Sequence, residues 1–166
     1  MSSLRKINTK IQDLESSKKI VQGWNLNKET IVFTNGCFDL LHMGHVDYLS
    51  KAKDLGTKLV IGLNSSESVK KLKGPSRPIN SARSRASLLA AFECIDLVII
   101  FAEETPINLI KSLKPHVLVK GGDYTLSNII GAQEVENYGG EVKVIPFIPG
   151  YSTTSIITKI ESFSKS

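Results

Sequence analysis

Thr30-Ile31-Val32-Phe33-Thr34-Asn35-Gly36-Cys37-Phe38-Asp39-Leu40-Leu41-His42-Met43-Gly44-His45 is the stretch that decides how this chain reads. Its apolar run is continuous rather than alternating, which marks a strand covered on both faces, as in a parallel sheet. A turn follows, and residues 45–55 then place Val46, Leu49 and Ala52 on one helical stripe, with Gly56 suited to a left-handed C-cap. In an open parallel sheet ligands bind beyond the carboxyl ends of the strands, which is where this turn falls. Gly36 and Gly44 let the backbone turn tightly and approach a bound group. The start of the helix offers unpaired N–H groups and a positive dipole end, an anion site before any side chain is counted. His42 and His45, three apart across the turn, can donate hydrogen bonds to phosphate oxygens. A metal pair is the competing reading. It lacks the glutamate of H-E-x-x-H, and the intervening glycine suits a turn better than a helix aligning two ligands. Strand, glycine and helix together favour phosphate.

Working outward, four more strand-length runs recur with helix-sized gaps. They are Lys58-Leu59-Val60-Ile61, Leu97-Val98-Ile99-Ile100, His116-Val117-Leu118-Val119 and Val142-Lys143-Val144-Ile145. Ser81 can cap a helix reaching Phe92, Thr105-Pro106 opens another with proline at its first position, and Ser152 can cap a last one carrying Ile156, Ile157, Ile160 and Phe163. Alternating strands and helices predict an α/β class: a single doubly wound, Rossmann-like domain with a five-stranded parallel sheet and helices on both faces. Residues 1–28 stand outside the alternation. Ile7, Ile11 and Leu14 have helical spacing, so this segment reads either as a short amphipathic helix covering the sheet or a partner, or as a leader. The expected division is therefore 1–28 and 29–166.

The chain has 166 residues, 21 Lys plus Arg against 16 Asp plus Glu, and a net charge of +5. That balance suits an anionic partner without choosing its class. No interleaved basic and aromatic platform argues for nucleic acid. No apolar run approaches the ~18 residues of a membrane span, and the start lacks a signal peptide's apolar core, so a cytoplasmic protein without membrane contact is expected. Cys37 and Cys94 form no C-x-x-C pair, which leaves zinc and redox motifs unsupported; both cysteines and Trp24 read as packing residues. The P-loop pattern and G-x-G-x-x-G are both absent.

Thr34-Asn35-Gly36-Cys37-Phe38-Asp39 with His42-Met43-Gly44-His45 resembles the H-x-G-H nucleotidyltransferase superfamily. Asn64-Ser65-Ser66, Lys71-Leu72-Lys73-Gly74 with Arg77-Pro78, Val119-Lys120-Gly121-Gly122-Asp123-Tyr124 and Gly150-Tyr151-Ser152-Thr153-Thr154 follow in order, and the whole resembles its bacterial heptose 1-phosphate adenylyltransferase branch. Residues 29–166 would then be the nucleotidyltransferase domain. The resemblance implies that His42 and His45 contact the triphosphate and stabilise charge on the α-phosphoryl group, while Lys73, in a loop beside Gly74 and Pro75, closes over the phosphates. Lys70 and Lys71 are its understudies. It also implies nucleotide or phosphate contacts for Thr34, Asn35, Gly36, Phe38, Gly44, Arg85, Lys120, Gly121, Ser152, Thr153 and Thr154. Asp39, Asn64 and Asp123 are candidates for the acceptor, although Asp39 equally reads as an Asx cap of the turn and Asp123 as loop chemistry.

The activity so implied is transfer of AMP from ATP to a heptose 1-phosphate, by direct in-line attack of a sugar phosphate that needs no strong base. The resemblance further implies a homodimer, and ADP-heptose for bacterial surface polysaccharide. Magnesium would be held mainly by triphosphate oxygens rather than by side chains. Cytidylyltransferases of the superfamily place an arginine shortly before the last motif, where this chain has Phe147. Two alternatives stay open: a cytidylyltransferase acting on glycerol 3-phosphate or another alcohol phosphate, and a non-catalytic nucleotide-binding subunit.

Overall fold

In the computed structural model, which describes residues 2–122, 125 and 128–163, every expected apolar run becomes a parallel strand. The strands are β1 (Ile11–Gln12), β2 (Ile31–Gly36), β3 (Lys58–Asn64), β4 (Leu97–Phe101), β5 (Val117–Gly121) and β6 (Glu141–Ile145). They form one sheet in the order β1-β4-β3-β2-β5-β6, with every pairing parallel. The sheet thus has six strands where five were expected. The sixth is β1, whose two residues pair with Val98 and Ile99 at the edge of β4. Two residues carry too little pattern to read as a strand, and Ile11 was counted with a helix instead.

The helices are α1 (Ser3–Thr9), α2 (Leu14–Leu26), α3 (Met43–Lys53), α4 (Ser66–Lys73), α5 (Ala82–Ala90), α6 (Ile107–Leu113), α7 (Ala132–Asn137) and α8 (Thr153–Phe163). The helical spacing of Ile7, Ile11 and Leu14 spans three elements rather than one. Asp13 accepts a hydrogen bond from the Ser16 N–H and starts α2 afresh, so Ile7 and Ile11 pack into one core and Leu14 into the other.

Side-chain alternation along the strands builds those two cores. Val32, Leu59, Ile61, Val98 and Val119 meet Leu49 and Ala52 of α3 and Ala86 and Leu89 of α5. Ile31, Phe33, Val60, Ile99 and Leu118 meet Val21 of α2, Leu109, Ile110 and Leu113 of α6, and Val135 of α7. Both faces of β2 to β5 are therefore largely buried, which is why those strands are apolar runs, whereas the edge strand β6 exposes Glu141 and Lys143. Cys94 packs against the first core and Trp24 against the second, as expected.

Three local expectations change. Gly56 is not a left-handed cap; α3 ends at Asp54 in right-handed geometry. A Cβ at Gly56 would lie 2.7 Å from the Thr30 carbonyl oxygen, so the glycine is there for a close backbone approach. Pro106 is the residue before α6, not its first. Lys73 lies on the last turn of α4, whereas a loop was expected. Gly74 follows it at φ 98°, a value that ends the helix there.

Sequential strands β2, β3 and β4 run outward in one direction, and the chain then returns through α6 to set β5 on the other side of β2. That reversal opens a crevice between β2 and β5 at their carboxyl ends, the usual ligand position in such sheets.

Candidate functional site

β2 ends in Gly36, and the chain turns through Phe38 at φ 44° to bring residues 37–42 over the sheet edge. A Cβ at Gly36 would lie 3.0 Å from the Phe38 ring, so the glycine admits that ring. His42 is the extended residue before α3. Its backbone N–H donates to His45 Nδ1 over a long 3.4 Å, and the two rings stack with centroids 3.8 Å apart at 26°. With Nδ1 accepting, the neutral His45 carries its proton on Nε2, free to donate elsewhere. Burial pushes the His45 pKa down to about 4, with the neighbouring His42 adding to the effect, and burial also lowers that of His42. Both imidazoles are therefore neutral donors at neutral pH. Gly44 keeps them there: a Cβ on it would stand 3.0 Å from His42 Nδ1 and 3.2 Å from Tyr151 Cβ.

A cavity of about 850 Å³ lies over this turn and the β2–β5 crevice. That is within the ~300–1,000 Å³ usual for small-ligand sites. It brings together Asn35, Gly36, Phe38 and His45 from the first motif, Lys73 from α4, Lys120 and Gly121 from the end of β5, and Thr153 and Thr154 from the start of α8. Asn64 and Asp39 also line it. Lys70 and Lys71 do not, so of the three candidate lysines it is Lys73 that reaches the cavity. Lys120 Nζ donates to Asn35 Oδ1 at 3.5 Å, and burial pushes its pKa down.

Other expected residues do not line the cavity. The Thr34 hydroxyl is buried and shares a 2.6 Å hydrogen bond with Tyr48 Oη. Ser152 caps α8, its Oγ accepting from the Ser155 N–H at 3.0 Å, and it is not among the lining residues. His42 and Gly44 form the turn without lining the cavity. Asp123 lies outside the described residues.

Arg85 and Asp39 are the largest departures from expectation. Arg85 is fully buried beneath the site and is absent from its lining. Its Nη1 donates to the carbonyls of Cys37 (2.6 Å) and Asn64 (2.9 Å), and its Nε to that of Asn80 (3.1 Å). Three chain segments from the ends of β2 and β3 and the approach to α5 are thereby tied to one guanidinium, whose planar fork suits such spanning. Asp39, 2% exposed, spends its carboxylate on Arg77 Nε at 2.6 Å and on the backbone N–H groups of Ile79 and Asn80 at 2.9 Å. Burial alone would raise its pKa, but those hydrogen bonds and the Arg77 charge outweigh it and hold the carboxyl below its usual range.

The cavity also contains residues to which the sequence reading gave no place in the site, Tyr48, Arg77, Glu104, Pro106 and Asn128, together with Phe147, noted there only as a departure from cytidylyltransferases. Arg77 stands in a quoted motif, but its partner Asp39 is 38 residues away and nothing local signals the pair. Phe147 packs its ring against Tyr48, centroids 5.7 Å apart, in the space that Gly121 leaves by lacking a Cβ.

The Cytidylyltransferase-like family matches residues 33–159. "Bifunctional protein HldE" of Geobacter sulfurreducens is 52% identical over 151 residues, 91% of this chain and 31% of that protein. Its namesake from Geobacter metallireducens is 54% identical with the same coverage. The chain thus spans about a third of the length of these relatives. Among solved structures, a lipopolysaccharide core biosynthesis protein from Thermoplasma volcanium superposes with a TM-score of 0.59 at 27% identity, over 72% of this chain and 97% of that one. The pantoate-beta-alanine ligase of Francisella tularensis, complexed with ATP and beta-alanine, shares the fold at a TM-score of 0.60 and 16% identity, over 94% of this chain and 79% of the other. With one family covering residues 33–159 and relatives more than half identical over nine-tenths of its length, the chain belongs to the cytidylyltransferase-like family.

Proposed function

We propose that the chain is a nucleotidyltransferase that moves AMP from ATP to a heptose 1-phosphate, giving ADP-heptose and pyrophosphate. The observation carrying this reading is that segments remote in sequence and joined by the motif resemblance converge on one cavity: His45 at the N-terminus of α3, Lys73, and Thr153 and Thr154 at the N-terminus of α8. Two helix N-termini, a neutral imidazole donor and a lysine make a site for a polyanion.

In the proposed reaction a phosphate oxygen of the sugar phosphate attacks the α-phosphorus of ATP. The bond from that phosphorus to the oxygen bridging to the β-phosphate breaks, and pyrophosphate leaves with the electron pair. The nucleophile is already ionised, so catalysis consists of holding two anions together and stabilising the charge that develops. His45 Nε2–H donates to the triphosphate with the His42 ring stacked against it and holding it in place, Lys73 covers the phosphates, and the hydroxyls of Thr153 and Thr154 bind them. Arg85 and Thr34 support these groups from behind, and Ser152 caps α8. Magnesium fits as a companion of the nucleotide: among the described residues no group of three or more His, Cys, Asp or Glu could hold a metal, and Asp39 is committed to Arg77. Triphosphate oxygens and water would be its ligands, and it would offset the charge of the leaving group.

The heptose and the adenine rest on the branch resemblance and on Phe147 standing where cytidylyltransferases have arginine. The reading carries with it a cytoplasmic homodimer; among the described residues no helix is long and apolar enough to cross a membrane. Pyrophosphate release measured with ATP and with CTP, each against heptose 1-phosphate and glycerol 3-phosphate, tests the proposal. Release only with ATP and heptose 1-phosphate is expected. Preference for CTP with glycerol 3-phosphate would replace it, and nucleotide binding with no turnover for any acceptor would make the chain a binding subunit.

A further inference from the structure

Arg77 is the one cavity residue whose charged group is held on one side and open on the other. Its Nε donates to Asp39 Oδ2 at 2.6 Å, and neither Nη1 nor Nη2 makes a hydrogen bond among the described residues. Its backbone N–H is given to the Gly74 carbonyl, so the Nη pair is what Arg77 has left to offer the cavity it lines. A pair built only to hold the fold would engage the guanidinium fork with both carboxylate oxygens. Here Asp39 Oδ1 goes to the Asn80 N–H, and the Ile79 N–H is shared between both oxygens. The Asp39 carbonyl also accepts from Asn80 Nδ2 at 3.0 Å. Residues 77–80 are thus stitched to the approach to the histidine turn, and Asp39, 2% exposed, fixes where the guanidinium points.

We infer that Arg77 binds the pyrophosphoryl end of the triphosphate, its Nη fork donating to oxygens of the β- and γ-phosphates, with Asp39 as its positioning residue. This rests on the nucleotidyl-transfer reading. It gives a substrate contact to a residue the sequence reading left out, and moves Asp39 from the acceptor to the support of that contact. Placement carries the argument. The Cys37 thiol, which also lines the cavity, feels the charges of both Lys73 and Arg77, so these two cations converge on one end. The start of α8 lies at the same end, where Thr153 Oγ1 donates to the carbonyl of Leu40, the neighbour of Asp39. Most of the charge of a triphosphate lies on its two terminal phosphates. An end with two cations and a helix N-terminus suits those phosphates, while the neutral His45 suits the α-phosphoryl group. When the bond from the α-phosphorus to the bridging oxygen breaks, the electron pair leaves on pyrophosphate, beside the fork. A planar fork spans two phosphate oxygens, which the point charge of Lys73 cannot do.

The test is calorimetry with inorganic pyrophosphate, AMP and α,β-methylene ATP, each titrated with magnesium into the wild-type chain, Arg77→Gln and Arg77→Lys. Arg77→Gln should weaken pyrophosphate and the ATP analogue by about tenfold or more and leave AMP within about twofold, since charged hydrogen bonds to the terminal phosphates alone are lost. Arg77→Lys, which keeps the charge facing Asp39 but not the fork, should fall between. Asp39→Asn should weaken pyrophosphate in the wild-type background and add nothing in Arg77→Gln, a coupling that a merely structural carboxylate would not show. The assignment is overturned if Arg77→Gln binds pyrophosphate as the wild type does, if it loses AMP as much as pyrophosphate, or if the wild type binds no pyrophosphate. Additive losses from Asp39→Asn and Arg77→Gln would overturn the positioning role. Failure of the parent reading looks different: Arg77-dependent binding of pyrophosphate with no turnover for any acceptor would refute adenylyl transfer and leave the contact assigned.

Discussion

Replacing Asp39 by asparagine changes one oxygen to an amide nitrogen and should expose what that carboxylate does. In the folded chain Oδ2 accepts from Arg77 Nε and Oδ1 from the Asn80 N–H, while the Ile79 N–H is shared between them. Asparagine keeps one acceptor and turns the other position into a donor, which must face a donor already there. An orphaned buried donor costs about 1–3 kcal/mol, and losing the charge on the Arg77 hydrogen bond removes about 1–2 more. The Arg77 side chain is 19% exposed, so water recovers part of its loss. The net expectation is about 3 kcal/mol, a large share of the ~5–15 kcal/mol that holds a domain together. With a urea slope of about 2 kcal/mol/M, the unfolding midpoint should fall by about 1.5 M at pH 7. The folded pKa of Asp39 lies below its unfolded value, so its stabilisation is complete above the unfolded pKa of ~3.9 and is lost as pH falls through the folded one. The gap between wild type and variant should therefore be constant from pH 6 to 8 and close only in acid. A midpoint shift under ~0.3 M at pH 7, or a gap that does not narrow in acid, would refute the clamp.

Other outcomes follow from the histidine turn. His45→Ala should lower turnover by ~10²–10³ with the far-UV circular dichroism unchanged, since one preorganised donor is lost and the fold gives up only that ring's contacts with His42 and Phe38; near-normal turnover would remove His45 from the reaction. In the free protein the His45 ring should titrate by NMR near 4 rather than 6.5, and α,β-methylene ATP should raise that midpoint, because a bound anion favours the charged imidazole. Gly44→Ala should cut turnover at least tenfold, because its Cβ would press on His42 Nδ1 from 3.0 Å. Its melting temperature should barely move, since alanine's helix propensity, worth ~1 kcal/mol over glycine, offsets the crowding.

Much of the site was legible because it is local. The strand, the glycines, the histidines and the start of the following helix lie within sixteen consecutive residues, and each adopts the conformation its composition favours. Lys73, Thr153 and Thr154 were found by motif and do line the cavity. Three candidates bond the protein itself. Arg85 and Ser152 are residue types that bind phosphate well, and sequence alone cannot say whether such a group points at a ligand or at the protein's own backbone. Asp39 is the same case: its partners come from residues 77–80, and only the folded chain brings them within 3 Å.

The sequence by itself determined the alternation of strand and helix, the buried faces of the central strands and the histidine turn, because hydrophobic period and turn chemistry act over a few residues. Only the tertiary structure decided the edge strand β1, which has no pattern of its own until β4 offers it hydrogen bonds. It alone decided that Arg85 and Asp39 turn inward, since the partners of Arg85 Nη1 and of the Asp39 carboxylate lie on chain segments that meet only on folding. It also decided which side of the sheet each cavity residue faces. Lys120 and Gly121 are neighbours in the chain, yet pleating sends them to opposite faces.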